Sequence, residues 1–173
     1  NKASIFRRLP ADFTRSRTES LGQGSFGSVS KHELDGVLYA VKEIDLSQLV
    51  EARSTYAYYA ELVKCYLEVQ VLIALRDSTL MHLRCIDYDM KEDSRPGASH
   101  EWGSTRTLLF QRMFIVMDFA KGGDLQQYQA RELPRLVLLR VWRELFTGLK
   151  YLHENHGLVH CDLKPGNIVF MRE

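Results

Sequence analysis

The sequence predicts an α+β fold. Its first half is rich in strands, and its second half contains only one long helix and looks incomplete. The first observation is a series of strand patterns between residues 18 and 44, separated by glycine-containing turns. The second is a change to helical periodicity over residues 52–75, and the third is another amphipathic helical pattern over residues 134–153. A chain of 173 residues with 45% hydrophobic composition can bury one core, so a single domain is the default expectation.

The elements of the first half follow from turn residues and from the alternation of apolar side chains. A strand over residues 18–21 leads into a glycine-rich turn over residues 22–27. Two further strands, over residues 29–33 and 37–44, are joined at Asp35-Gly36, a pair typical of tight hairpins. These residues therefore predict consecutive antiparallel strands.

The later elements begin with the long helix over residues 52–75. Leu62, Tyr66, Val69 and Ile73 recur at helical spacing and form one apolar stripe of this helix. The remaining elements are predicted, in chain order, as a strand over residues 83–87, an exposed loop over residues 91–105, a β-rich run over residues 108–119, a helix over residues 134–153 with Pro134 in its first turn, and a strand over residues 168–170.

Composition excludes several classes of partner. Basic and acidic residues nearly balance at a net charge of +1, which gives no support to a nucleic-acid surface or a polybasic membrane anchor. No apolar run reaches the roughly 18 residues that a transmembrane helix needs. Cys65, Cys85 and Cys161 lack metal-ligand spacing, so we expect reduced thiols in an intracellular protein, cytoplasmic or nuclear. Because the chain starts at Asn1 rather than Met, we expect the true N-terminus to be missing.

Three glycines, Gly22, Gly24 and Gly27, stand in a G-x-G-x-x-G pattern, with Val29 two residues beyond. Glycine lets backbone amides approach a phosphate closely, because no Cβ intrudes and positive φ costs little. A dinucleotide-binding fold requires a helix directly after the glycines, whereas a strand pattern follows here. The context therefore favours a strand–loop–strand flap over a nucleotide.

Lys42 lies in the middle of a predicted strand among apolar neighbours, with Ala40 on the same face. Burying an unpaired ammonium group costs several kcal/mol, so a buried lysine needs a partner. A lysine on an edge strand could instead face water, and the alternation alone leaves both interpretations open.

A third cluster lies near the end of the chain, where His160, Asp162, Lys164 and Asn167 stand in an H-x-D-x-K-x-x-N spacing. Each residue alone fits a polar surface turn before a strand. Together they supply an acceptor for a hydroxyl proton, a cation to neutralise a phosphoryl group and a neutral oxygen ligand for magnesium. These are the groups that phosphoryl transfer needs.

Four motifs occur in the order in which eukaryotic-type protein kinases carry them. They are the glycine flap, Lys42 in Ala-Val-Lys, Met117-Asp118-Phe119-Ala120 and the H-x-D-x-K-x-x-N loop. From about residue 13 to 170 the chain resembles that family, serine/threonine type. The resemblance implies a bilobal fold with a complete N-lobe, an antiparallel sheet plus one regulatory helix, and a C-lobe truncated after the catalytic loop. It divides the chain into a tail at residues 1–15, an N-lobe with hinge at 16–120, and the start of the C-lobe at 121–173. ATP and magnesium are the implied cofactors, and the implied partner is a protein substrate.

The resemblance also assigns roles to single residues. Asp162 is expected to be the base, Lys164 and Lys42 the phosphate contacts, and Asn167 the magnesium ligand. Glu61 and Glu68 compete for pairing with Lys42, and the register of the following apolar residues favours Glu68. The implied nucleotide-binding residues are Leu21, Gly22, Gln23, Gly24, Ser25, Phe26, Gly27, Val29, Ala40, Lys42, Met117, Asp118, Phe119, Ala120, Asp124 and Val169.

The sequence departs from the family pattern at three places. Cys161 stands where most members carry arginine, which argues against activation by loop phosphorylation, and we expect a small packed thiol there rather than a redox switch. Gly166 replaces a frequent glutamate, so a preference for basic substrates has no support. The chain stops at Glu173 before the Asp-Phe-Gly segment, so we expect residues 1–173 alone neither to phosphorylate a substrate nor to fold as a well-behaved monomer.

Two other classes of protein stay open. Small-molecule kinases of the aminoglycoside or choline type share the fold, although Lys164 and the full glycine pattern argue against them. A pseudokinase acting as a scaffold is opposed by Lys42, Asp162 and Asn167. Within the superfamily, likeness to Wee-type, NIMA-related and translation-initiation-factor kinases leaves the subfamily undecided.

Overall fold

The computed structural model describes residues 10, 13, 17–24, 27–51, 55–75, 77–92, 108–128 and 133–172. The chain forms two compact units, one of Asn1–Ala74 with Leu83–Asp118, the other of Leu75–His82 with Phe119–Glu173. Within the described residues, no helix has the length and apolar character that crossing a membrane requires. The predicted boundaries after residues 15 and 120 stay predictions.

The first unit is built on an antiparallel five-stranded sheet of order β1-β2-β3-β5-β4. The strands are β1 (Arg17–Gly24), β2 (Gly27–Leu34), β3 (Val37–Asp45), β4 (Leu83–Glu92) and β5 (Leu108–Asp118). Two helices, α1 (Ser47–Glu51) and α2 (Thr55–Ala74), follow β3. The predicted α+β class and the antiparallel sheet with one long helix are confirmed.

Side-chain alternation along the strands gives the sheet two apolar faces. On one face, Ile44, Ile115 and Met113 pack with Cys65 and Val69 of α2 in the larger core cluster. The opposite face forms a second cluster of Phe13, Val41, Cys85, Phe114 and Val116. Helix α2 therefore covers one side of the sheet, and the Phe13 side chain covers part of the other.

The second unit contains the helix α3 (Arg135–Lys150), which continues as a π-helical turn over Tyr151–Asn155. Two short 3-10 turns, Leu125–Tyr128 and Pro165–Asn167, flank it in sequence. Gly157 has φ +62°, a left-handed conformation suited to glycine at the point where the helical segment has ended. An isolated bridge between Asp124 and Val169 ties the beginning of this unit to its last described segment.

Several predicted boundaries were wrong. Among the described residues, the strand predicted over residues 168–170 is only an isolated bridge, which pairs Val169 with Asp124. Strand β4 continues to Glu92, since Lys91 and Glu92 pair with β5, whereas a loop was predicted from residue 91. Tyr66 was assigned to the apolar stripe of α2 but is exposed, and Cys65 is buried instead.

Candidate active site

Lys42 on β3 is paired with Glu68 on α2. The Lys42 Nζ donates to Glu68 Oε1 at 2.6 Å and to Oε2 at 2.7 Å, with side-chain exposures of 18% and 37%. Glu61, the alternative partner, accepts instead from Lys64 one helical turn along α2, at 2.9 Å. The open question about Lys42 is thus resolved structurally, because its ammonium is half-buried and carries a partner that satisfies it.

The position of Glu68 follows from the packing of α2. Cys65 and Val69, its neighbours at i−3 and i+1, are buried against the sheet, so Glu68 lies at the border of the buried stripe. The buried Tyr58 adds a polar contact, since its hydroxyl oxygen accepts the Phe110 N–H of β5 at 2.9 Å. Burial raises the pKa of the Cys65 thiol, which therefore stays neutral beside the ion pair.

Four of the predicted site residues share one face of the sheet. Lys42 pairs with Val29 across β2–β3, and Ala40 pairs with Met117 across β3–β5. Directly paired residues on antiparallel strands point to the same face, and so do residues two apart on one strand. Val29, Ala40, Lys42 and Met117 are therefore brought together, whereas Asp118 points to the opposite face.

The glycine flap is the tip of the β1–β2 hairpin. Gly24 pairs with Gly27, and Gly22 pairs with Val29, so the glycines lie within strands rather than in an extended turn. Gly27 has φ +130°, and a Cβ there would lie 2.2 Å from the Glu43 carbonyl oxygen, so only glycine fits. The side chains of Leu21 and Gln23 are exposed, whereas Ser25 and Phe26 lie outside the described residues.

In the second unit, three predicted catalytic residues meet at one carboxylate. Asp162 Oδ2 accepts from Lys164 Nζ at 3.0 Å and from Asn167 Nδ2 at 2.9 Å. Asn167 Nδ2 also donates to the Asp162 carbonyl oxygen at 2.7 Å, which fixes the amide orientation. The hydrogen bonds from Lys164 and then Asn167 hold the pKa of the Asp162 carboxyl below its ordinary value.

The backbone before Asp162 makes a sharp turn at Cys161. The Asp162 N–H donates to the His160 carbonyl oxygen at 2.8 Å, and Cys161 has φ +61°, which together make a γ-turn of the rare positive-φ form. The expectation of a packed thiol at Cys161 was wrong, because a residue at the apex of this turn is exposed.

Asp124 is one of the implied nucleotide-binding residues, and its carboxylate also has a local role. Its Oδ1 accepts the Gln127 N–H at 2.9 Å and so caps the 3-10 turn that follows. Two contacts hold this segment beside the end of the predicted catalytic loop: the bridge from Asp124 to Val169, and the hydrogen bond from the Phe170 N–H to the Gly123 carbonyl oxygen at 2.8 Å. Asp124 and Val169 are therefore neighbours, and Phe119 and Ala120 lie earlier in the same unit.

Sequence reasoning missed Arg84 at the predicted hinge. Its guanidinium donates from Nε to Asp118 Oδ1 and from Nη2 to Oδ2 at 2.8 Å, a two-point ion pair within the first unit. The only advance signal was an arginine in a strand pattern, which by itself indicates an exposed face. For metals, the described residues contain no group of three or more acidic, histidine or cysteine side chains that could hold an ion. Asn167 as a magnesium ligand stays a prediction.

A strand lysine paired with a helix glutamate in the first unit, and a loop centred on an aspartate in the second, are features that the kinase resemblance predicts. The chain belongs to the protein kinase family, whose protein kinase domain model matches residues 15–173. The predicted membership in the eukaryotic protein kinase superfamily, serine/threonine type, and the kinase fold class are thereby confirmed.

Relatives with curated descriptions agree with this family. The interferon-induced, double-stranded RNA-activated protein kinase of Rattus norvegicus is 32% identical over the whole chain, which spans 31% of that relative's length. Serine/threonine-protein kinase Nek4 of Mus musculus is 30% identical over 88% of the chain and 16% of the relative. Serine/threonine-protein kinase ATG1a of Arabidopsis thaliana is 32% identical over 86% of the chain and 20% of the relative.

Proposed function

We propose that this protein transfers the γ-phosphoryl group of ATP to serine and threonine hydroxyls of protein substrates. The observation that carries the proposal is the convergence of Lys164 and Asn167 on one oxygen of Asp162, in a protein kinase domain. Asp162 is the base, because a carboxyl group with a lowered pKa is ionised at neutral pH and can accept the hydroxyl proton.

Each cation has a separate task in this proposal. Lys164 lies beside the base and neutralises charge that develops on the phosphoryl group during transfer. Lys42 is oriented by Glu68 and contacts the α- and β-phosphates, while the flap glycines let backbone amides approach them. Glu68 thus acts through Lys42, as a positioning residue.

The residues present fit the two cofactors. The apolar side chains of Val29, Ala40 and Met117 share a face with Lys42, which suits a planar base beside a phosphate-binding ammonium. Both donors of Asn167 Nδ2 are directed at Asp162, so its Oδ1 is left as the neutral oxygen that magnesium prefers. Bound magnesium and ATP supply the transferable phosphoryl group and shield its charge.

The test is protein phosphorylation by the full-length protein and by Asp162→Asn. We expect this substitution to lower kcat by roughly 100- to 10,000-fold, the usual contribution of a general base. Asp35→Asn is the matched control, because Asp35 occupies the β2–β3 hairpin turn at φ +52°, a conformation that asparagine also tolerates. Equal activity of Asp162→Asn and wild type would contradict the proposal.

Two outcomes identify the competing classes. Phosphorylation of free alcohols or aminoglycosides, without transfer to protein, would mark a small-molecule kinase. Absence of magnesium-dependent ATP turnover in wild type, or turnover that survives Lys42→Met, would mark a binding-only relative.

A further inference from the structure

The bulge in β4 places an arginine at the end of β5. Leu83 pairs with Met117 and Cys85 pairs with Val116, so Arg84 is an extra residue in β4. Leu83 and Cys85, although two residues apart, lie in core clusters on opposite faces of the sheet, which a regular strand does not permit. Such bulges commonly redirect a side chain.

The redirected side chain meets Asp118, the last residue of β5. Nε of Arg84 donates to one carboxylate oxygen and Nη2 donates to the other at 2.8 Å, so the planar guanidinium matches the planar carboxylate. This fork geometry fixes the orientation of both groups, which a lysine cannot do. The bond to Asp118 also raises the pKa of the Arg84 guanidinium.

Alternation places this ion pair behind the proposed nucleotide face. Met117 pairs with Ala40 and shares the face of Lys42, whereas Asp118 pairs with Tyr39, whose side chain packs against the second core cluster. The Arg84 contact therefore leaves the nucleotide face clear while it holds the strand end from the other side.

We propose that Arg84 is a positioning residue for nucleotide binding, which clamps Asp118 and so fixes the backbone of the hinge strand end where adenine is read. The kinase resemblance implies that residues 117–120 form the hinge between the lobes, whose backbone binds adenine. This inference rests on the proposed function, because that role requires ATP as the cofactor. Arg84 touches neither phosphate nor substrate; its effect passes through Asp118 alone.

Steady-state kinetics of the full-length protein separate this role from general stabilisation. Arg84→Gln is expected to raise the KM for ATP about three- to tenfold, with kcat and the KM for protein substrate within about twofold. Arg84→Lys is expected to behave like Arg84→Gln, because charge without the fork does not hold both oxygens. Rescue by lysine would overturn the clamp.

Arg112→Gln is the matched control. Arg112 is also an arginine on the same pair of strands, with Nη2 2.6 Å from Asp89, but it lies away from the hinge end of β5. Its KM for ATP is expected to equal that of wild type. An equal rise in both variants would show that any surface ion pair matters, and would overturn a specific role for Arg84.

A double-mutant cycle tests whether Arg84 acts through Asp118. Arg84→Gln and Asp118→Asn are expected to raise the KM for ATP to similar extents, and the double variant to raise it no further. Multiplicative effects would overturn the inference. If wild type is active and Arg84→Gln has the same kinetics, only the Arg84 clamp is overturned. If wild type shows no ATP-dependent phosphorylation, the proposed function and the clamp are overturned together.

Discussion

Two glutamates on α2, seven positions apart, compete for Lys42 in the sequence. Glu68 takes both hydrogen bonds from the Lys42 ammonium, whereas Glu61 pairs with Lys64 on the helix surface. The difference arises from burial, since Glu68 borders the stripe of Cys65 and Val69 that packs on the sheet.

The first prediction compares Glu68→Gln with Glu61→Gln, identical chemical changes on one helix. Glu68→Gln removes the charge that orients Lys42, and losing a charge-assisted hydrogen bond costs about 1.5–3 kcal/mol. We therefore expect kcat/KM to fall about 10- to 100-fold for Glu68→Gln and to change less than about twofold for Glu61→Gln. Steady-state phosphorylation kinetics of the full-length protein provide the measurement, and similar losses in both variants would contradict it.

The second prediction concerns the ionisation of Asp162. Its lowered pKa comes first from the Lys164 hydrogen bond, which favours the carboxylate, so removal of that bond must raise the pKa. In Lys164→Met, the Asp162 carboxylate is therefore expected to become protonated at a higher pH than in wild type. Carbon NMR titration of the labelled Asp162 carboxyl measures this directly. A titration unchanged by Lys164→Met would show that the Lys164 contact does not lower the pKa of Asp162 in solution.

At the scale of elements, the sequence predicted what alternation and turn residues determine. The Asp35-Gly36 pair predicted the β2–β3 hairpin, because both residues adopt positive φ there. Helix α1 was missed because five residues are too few for periodicity to register. The continuation of β4 to Glu92 was missed because its outer residues are polar, and only their pairing with β5 makes them strand.

The candidate site likewise contains residues that the sequence predicted and one residue that it did not. Spacing alone was enough to group Asp162, Lys164 and Asn167, which lie within six residues of chain. Arg84 could not be predicted, because its contact with Asp118 joins positions 34 residues apart and depends on a bulge. An irregular strand pairing of this kind leaves no periodic pattern in the sequence.

The third prediction tests how α3 packs on the segment before β4. Gly148 is the buried residue of α3, and a Cβ there would lie 2.7 Å from Thr79 Oγ1. That hydroxyl is held by Asp77 Oδ1, which also accepts the Thr79 N–H at 2.9 Å. Gly148→Ala should therefore lower the free energy of unfolding by about 1–3 kcal/mol through overpacking, despite alanine's higher helix propensity.

Urea unfolding of the full-length protein is the measurement for Gly148→Ala. Thr147→Ala is the neighbouring control, since Thr147 is exposed and its loss should change stability by less than about 0.5 kcal/mol. Gly148→Ala should also cost less in a Thr79→Ala background, because the two changes share one contact. A stabilising Gly148→Ala would mean that the segment is not packed on α3 as described.

At the scale of the whole molecule, the two units differ in how well they bury their apolar residues. The first unit encloses Ile44, Leu46 and Ile115 almost completely between sheet and helices. In the second unit, α3 leaves one apolar set exposed, and the Trp142 and Phe146 rings stack on each other at 5.9 Å. The exposed members of this set are Leu136, Val137, Leu138, Leu139, Trp142 and Phe146.

The last prediction follows from that exposed set, since contiguous exposed apolar surface promotes association. Residues 1–173 expressed alone are expected to self-associate and to bind a hydrophobic dye, and Phe146→Lys should reduce both. Thr147→Lys adds the same charge one residue away, outside the apolar set, and should leave both unchanged. Sedimentation velocity and dye fluorescence measure the outcome. A monomeric wild-type chain would show that the α3 surface does not drive association. Equal rescue by both substitutions would show that the added charge, and not the apolar set, governs it.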